Sequence, residues 1–382
     1  MKEIALIGST GSIGRQALSV AARYPEKFNI VSLVANASAQ EFLAQVQRFR
    51  PKYAALADEE AGRKIARDIP DGVTFAYGEK AAVDGASYGD TALIAATGFA
   101  GLQYTLRAVE EGKNVALANK ETLVCGGQMV MDKIAAAGVD LTPIDSEHSA
   151  LWQALNFRAD TPFKRLIITA SGGPFYGKSK AELEKVTAKD ALNHPTWKMG
   201  AKITVDSATL LNKGFEVIEA KWLYHTTPDK ITTVVQPESI IHSMVEFADG
   251  CVMAQMSYPT MELPIQLALT YPERFDCGLK PLDFERLGQI RFLPLRRSDF
   301  PCYDLALTAL EEGENTPCAL NGAGEVAVRA FLDGQIKFTE IADVIAYGMQ
   351  KTARMRADGY DVLAETDRQA RAYAGEWIQN KG

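Results

Sequence analysis

Residues 2–23 read KEIALIGSTGSIGRQALSVAAR. A short apolar run breaks at Gly8, Gly11 and Gly14, then passes into residues with helical spacing that stop at Pro25. The spacing G-x-x-G-x-x-G is a variant of the dinucleotide fingerprint G-x-G-x-x-G. Glycines there permit a tight turn and close approach of a pyrophosphate to a helix N-terminus. Ser9, Thr10 and Ser12 add hydroxyl donors. A plain strand-to-helix turn is the bland alternative; the strand before and the helix after favour the phosphate loop.

Outward from this loop, strand and helix signals alternate to about residue 145. FNIVSLVAN, YAALA, TALIAA, NVALAN and VDLTPID read as strands, with helical stretches such as AQEFLAQVQRFRP between several of them. Alternation of this kind predicts a parallel sheet covered on both faces. The second strand ends LVANASAQ, with Asn36 and Ser38 and no acid. An acid there holds the ribose 2′-hydroxyl of NAD, so its absence favours NADP. Ser38, backbone amides or Arg15 are the candidates for the 2′-phosphate.

Composition narrows the class. The 382 residues exceed one ordinary domain. The chain has 41 basic and 48 acidic residues, a formal charge of −7, which argues against a general nucleic-acid binder. No apolar run is long enough to span a bilayer, and the start does not read as a signal peptide. Five scattered cysteines and four histidines offer neither a disulfide framework nor a Cys/His zinc site, and a reducing cytoplasm is expected. Any metal must then be held by oxygen.

From about residue 165 the texture changes. KRLIITASGG and TTVVQPESIIHSMVEFADGCVMAQMSY are β-rich, and AKITVDSATLLNKGFEVIEAKWLY is helical in its second half. The Pro- and charge-rich segment 271–299 reads as a surface linker, and residues 300–382 as helices. This texture predicts an α/β chain: a parallel-sheet dinucleotide-binding region to about residue 145, β-rich stretches with helices from about 165, and a small helical domain after about 300.

Three stretches carry chemistry. IDSEHSA sets Asp145 and Glu147 beside each other where a strand runs out. Like charges this close repel unless a cation or proton lies between them. ALANKETLV puts Lys120 and Glu121 directly after another strand, at the edge where α/β sheets keep their ligands. In residues 191–222, His194, Trp197 and Met199 lie in a Pro- and Gly-bearing loop suited to a lid. Ser207, Asn212 and Lys213, with Ser171 beside two glycines, suit a phosphate. Glu216, one helical turn after Lys213, could add a third oxygen ligand for Mg²⁺ or Mn²⁺; taken alone, Glu216 or Glu219 reads as a solvated helix face.

In order, GSTGSIG, ALANKETLV, PIDSEHSA, TASGGPF, HPTWKMGAKITVDSATLLNKGFEVIEA and VVQPESIIHSMVEF closely resemble the 1-deoxy-D-xylulose 5-phosphate reductoisomerase family over essentially the whole chain. The resemblance implies an NADPH- and divalent-metal-dependent (Mg²⁺, Mn²⁺ or Co²⁺) homodimeric enzyme of non-mevalonate isoprenoid synthesis, with an N-terminal Rossmann-like dinucleotide-binding domain (1–145), a central α+β catalytic domain that also makes the dimer contact (146–270) and a C-terminal helical bundle domain (300–382). It implies rearrangement of 1-deoxy-D-xylulose 5-phosphate and reduction of the aldehyde to 2-C-methyl-D-erythrose 4-phosphate. By the same resemblance Asp145, Glu147 and Glu216 hold the metal and count with Lys120 and His194 as catalytic. Ser146 and Lys120 meet the substrate backbone, and Ser171, Ser207, Asn212 and Lys213 its phosphate. His194, Trp197 and Met199 belong to a flexible flap over residues 191–201. The implied cofactor contacts are Gly8, Ser9, Thr10, Gly11, Ser12, Ile13, Gly14, Asn36, Ala37, Ser38, Asn119, Lys120, Glu121 and Gly200. One departure stands out: many members carry a lysine where this chain has Asn36-Ala37-Ser38. A plain NADP dehydrogenase and a non-catalytic NADP sensor are the rival readings; EDTA distinguishes the first and turnover the second.

Overall fold

The structure, a computed structural model, describes residues 1–381. The chain forms two compact units. The first comprises Met1–Thr122, Val130–Asp145 and Met261–Gly278. Along its length run β1 (Lys2–Ile7), α1 (Ser12–Arg23), β2 (Phe28–Ala35), α2 (Ala39–Phe49), β3 (Tyr53–Leu56), α3 (Glu59–Ile65) and β4 (Thr74–Tyr77). Next come α4 (Glu79–Asp84), β5 (Thr91–Ile94), α5 (Gly101–Glu110), β6 (Asn114–Leu117), α6 (Lys120–Ala137) and β7 (Leu141–Pro143). The middle of α6, Leu123–Met129, groups with the second unit.

The seven strands form a parallel sheet in the order β4-β3-β2-β1-β5-β6-β7. Strands such as YAAL and TALI are buried at every position, as a sheet covered on both faces requires. Leu6, Leu33, Leu56 and Leu93 pack with Phe42 and Val46 of α2 in its core. The order reverses at β1, which lies between β2 and β5, and such a switch point opens a ligand crevice at the carboxyl edge. The edge strand β4 has no counterpart among the strands read from sequence. Its TFAY is half-exposed and too short to show a period.

The second unit holds α7 (Ser146–Ala154), β8 (Arg165–Ala170), α8 (Lys180–Leu183), α9 (Ala188–Ala191), α10 (Ala201–Ala208), α11 (Leu211–Leu223), β9 (Ile231–Val235), β10 (Ile241–Glu246) and β11 (Val252–Met256). Its sheet is ordered β11-β10-β8-β9, with β8 and β9 parallel and the other pairs antiparallel. The chain then returns to the first unit for α12 (Glu262–Thr270). It finishes in the second with α13 (Phe284–Leu287), α14 (Pro301–Glu312), α15 (Thr316–Leu332), α16 (Ile341–Lys351) and α17 (Tyr360–Asn380). In that helical part α15 packs against α16 and α17.

The return of Met261–Gly278 departs from the expected boundary at residue 270. Pro264–Thr270 are all buried and α12 packs against α1; a helix apolar on every side needs enclosure. Arg23 fixes it, donating to Glu262 at 2.6 Å and to the Cys277 carbonyl at 2.9 Å. The remainder of the expected linker is also anchored: Leu293 bridges to Val235, and Arg291 pairs with Glu238 at 2.7 Å. Among the described residues, no helix is long and apolar enough to cross a membrane.

Candidate active site

The glycine loop lies directly after β1 at the switch point. Gly8 has φ +88°, and a Cβ there would lie 2.6 Å from the backbone of Ala95, so only glycine fits. The amides of Gly8 and Ser9 donate to the Val34 carbonyl at 2.8 and 2.9 Å. The carbonyls of Ser9 and Thr10 accept from Gln45 at 3.0 Å and Arg15 at 2.8 Å. That leaves the amides of Ser12 and Ile13 in the first turn of α1, where no helical carbonyl can reach them, at the positive end of the helix. The Ser9 hydroxyl is buried without a protein partner. An orphaned donor beside a positive helix end fits a phosphate-bearing cofactor. Asn36, Ala37 and Ser38 are exposed at the end of β2.

Sequence reasoning missed the loop after β5. Asn119 donates to the carbonyls of Ala96 at 2.9 Å and Gly98 at 3.0 Å, and accepts from the Thr122 amide to cap α6. It also donates to Glu121 at 2.8 Å. A Cβ on Gly101 would collide with Asn119. Residues 95–98 therefore border the glycine loop at the switch point. The available signal was Gly98, four residues beyond the end of a fully buried strand.

Asp145 ends the segment after β7, and Ser146 and Glu147 open α7, whose N-terminus favours negative charge. Glu216 comes from α11. Leu210, at φ +61°, makes the sharp turn between α10 and α11. Oxygens of Asp145, Glu147 and Glu216 lie within 4.8 Å of one another. At an effective dielectric of about 20, each such pair repels by about 3 kcal/mol or more. Two lysines oppose this. Lys213 bonds Glu147 at 2.7 Å, the Thr169 carbonyl at 2.6 Å and Glu216 closely; Lys120 bonds Asp145 closely. Burial works against the charge on Lys213, but Glu147 and Glu216 outweigh it and raise its pKa above the ordinary value. Three carboxylates against two ammonium groups leave one negative charge. An all-oxygen donor set of this kind fits a hard divalent cation. Asn212 and Ser146 orient two of the acids, donating to Glu216 at 2.7 Å and Glu147 at 2.5 Å.

The burial of Glu216, fully enclosed, and of Glu219 corrects the solvated-face reading of α11. Glu219, one helical turn after Glu216, instead meets buried His148, which follows Glu147, at 3.4 Å; the spacing did not reveal this pair.

A second cluster gathers around His194. Its Nε2 lies 3.0 Å from the Ser171 hydroxyl and 3.3 Å from that of Ser207. Its Nδ1 accepts the amides of Thr196 and Trp197 at 3.2 and 3.0 Å. A nitrogen that accepts two amides carries no proton, so the hydrogen sits on Nε2. Burial lowers the pKa of His194, which keeps the ring neutral. Gly172 and Gly173, at φ +87° and +67°, turn the chain after β8. A Cβ on Gly173 would lie 3.1 Å from the Ser207 carbonyl, so the glycine lets the Ser171 loop reach α10. Trp197 is half-buried edge-on to His242, with ring centroids 5.9 Å apart. Met199 is half-buried and Gly200 stands at the N-cap of α10. The expected phosphate set thus divides: Ser171 and Ser207 lie with His194, while Asn212 and Lys213 lie with the acids.

Three family profiles match. Residues 4–127 match one described as 1-deoxy-D-xylulose 5-phosphate reductoisomerase, residues 141–224 its C-terminal domain, and residues 256–373 a DXP reductoisomerase C-terminal domain. The reductoisomerase of Geotalea daltonii is 45% identical over 383 residues, covering 100% of both chains. The chain belongs to the 1-deoxy-D-xylulose 5-phosphate reductoisomerase family. The reductoisomerase of Anaeromyxobacter dehalogenans is 48% identical over 91% of this chain and 89% of its own. Among solved structures, the Zymomonas mobilis reductoisomerase in complex with NADPH superposes with a TM-score of 0.92 at 36% identity, covering 99% of each chain. A reductoisomerase in complex with NADPH, fosmidomycin and magnesium gives 0.93 at 35% identity, covering 99% of this chain and 98% of its own.

Proposed function

We propose that this chain rearranges 1-deoxy-D-xylulose 5-phosphate and reduces the product to 2-C-methyl-D-erythrose 4-phosphate with NADPH. The observation that carries the reading is the convergence of Asp145, Glu147 and Glu216 within 4.8 Å, in a chain of this family. These three residues would hold a divalent cation, and the glycine loop with Ser9, Ser12 and Ile13 the cofactor pyrophosphate. When bound, the cation supplies a Lewis acid for the substrate oxygens and NADPH the hydride.

The chain's own residues do the rest. Lys120 and Ser146 place a positive charge and a hydroxyl beside the acids, where substrate oxygens gain charge. The His194 Nε2–H donates towards the Ser171 and Ser207 oxygens, so their own hydrogens can point to a phosphate. Trp197 and Met199 form a flap that closes over the substrate and excludes water. We assign a homodimer to β11: it is an edge strand whose Val252 and Met253 are about half exposed, which suits pairing with a second copy. Mn²⁺ suits the same oxygen ligands as Mg²⁺, and five cysteines without a disulfide among the described residues suit a reducing cytoplasm.

The test is NADPH consumption with 1-deoxy-D-xylulose 5-phosphate, with Mg²⁺, with Mn²⁺ and with EDTA. Metal-dependent turnover to 2-C-methyl-D-erythrose 4-phosphate is expected; turnover unaffected by EDTA would overturn the role given to the acids.

A further inference from the structure

We infer that Arg15 is the residue that reads the 2′-phosphate of NADPH, with Glu41 as its resting partner. The inference rests on NADPH being the cofactor. In a doubly wound sheet the adenosine ribose lies at the end of the second strand. Here that place is Asn36-Ala37-Ser38, three exposed residues without charge. Ser38 stands at the N-cap of α2, but its hydroxyl makes no cap hydrogen bond.

Charge must come from elsewhere, and the sequence leaves one source nearby. Arg15 is the one basic residue between Lys2 and Arg23; residues 28–47 hold none, and neither do residues 53–62. These segments include β1, β2 and β3 and the turns beyond them. Arg15 extends from the first turn of α1 with its guanidinium 2.8 Å from the Thr10 carbonyl and 3.2 Å from Glu41, in the first turn of α2. It therefore spans from the glycine loop to the helix that begins after Ser38. The Glu41 pair is exposed, with 56% and 40% of the two side chains accessible, so it is weak and easily exchanged. A phosphate dianion makes a stronger, bidentate partner for a guanidinium. Ribose with a bare 2′-hydroxyl offers no such exchange, and Arg15 then stays with Glu41.

Binding of NADPH and NADH to the full-length protein, monitored by nicotinamide fluorescence, tests this without turnover. Arg15→Ala is expected to weaken NADPH about ten- to a hundredfold, as loss of a charged hydrogen bond does, and to leave NADH unchanged. Arg15→Lys should recover part of the loss. Glu41→Gln should bind NADPH at least as tightly as the parent. Equal weakening of both cofactors by Arg15→Ala would reduce Arg15 to a brace for Thr10 and overturn the inference, as would no change in either. Weaker NADPH binding by Glu41→Gln would overturn the resting-partner role. Failure of the unaltered protein to bind either cofactor would instead sink the assignment of NADPH itself.

Discussion

His194 accepts the backbone amide of Trp197 on Nδ1 at 3.0 Å, so the loop that carries both residues is folded onto its own histidine. Burial lowers the pKa of that ring below the ordinary value of 6.5. The neutral form is favoured in the folded state, so its stabilising contribution is full above about pH 6.5 and declines as pH falls towards the lowered pKa. Protonation would place a hydrogen on Nδ1 against two donor amides. Residues 191–201 should become more sensitive to protease, and the substrate KM should rise, as pH falls from 6.5 towards the lowered pKa. Limited proteolysis of parent and His194→Gln from pH 5 to 8 checks this; the same pH profile in both would remove His194 as the cause.

Mg²⁺ should raise the Tm of the parent, because a ligand that binds only the folded state stabilises it, by about 2.7 kcal/mol at a hundred times its Kd. Glu216→Gln should lose most of that shift and about a hundredfold or more of kcat, while NADPH affinity holds. Thermal melts with and without Mg²⁺ decide it. A full Mg²⁺ shift in Glu216→Gln would strike Glu216 from the ligands.

Gly173→Ala should be compared with Gly177→Ala. Both glycines have positive φ, +67° and +90°, but only Gly173 has a neighbour that a Cβ would press, the Ser207 carbonyl at 3.1 Å. Each substitution should cost about 1–2 kcal/mol of backbone strain. Only Gly173→Ala should also raise the substrate KM severalfold, because it moves Ser171 away from Ser207. Equal KM values in steady-state assays would mean the serine pair tolerates the displacement.

Val252→Glu with Met253→Lys should shift the protein from dimer to monomer in sedimentation velocity. Charges on an edge strand oppose strand addition, and these two side chains are 48% and 50% exposed in the single chain. An unchanged sedimentation coefficient would move the interface elsewhere.

Legibility in the sequence was a matter of locality. The glycine loop, the alternation to residue 145 and the Asp145–Glu147 pair are features of contiguous residues, where period and spacing speak directly. The arrival of Glu216 at those acids rests on a turn at Leu210 with φ +61°, which no periodicity announces. The contacts of Lys213 with Glu147 and Glu216 were hidden for the same reason: they depend on neighbours in space that spacing along the chain does not give. Burial was the other hidden quantity. Glu219 reads as a solvated helix face, and only the fold shows it enclosed with His148. Met261–Gly278 was misplaced because chain order suggests that residues just after a catalytic stretch stay with it, whereas Arg23 and Lys2 hold that segment to the N-terminal sheet.

Lys213 and Lys120 supply the acids with counter-ions encoded in the chain itself. Folding therefore need not wait for an ion to arrive. A protein built this way would keep its fold without magnesium, and resupply of the ion would then restore activity without refolding. A cation taken up by these acids would first have to displace an ammonium group, so its observed affinity would be a difference between two attractions. Exchange of this kind would hold the metal loosely and make activity track the supply of free divalent ions.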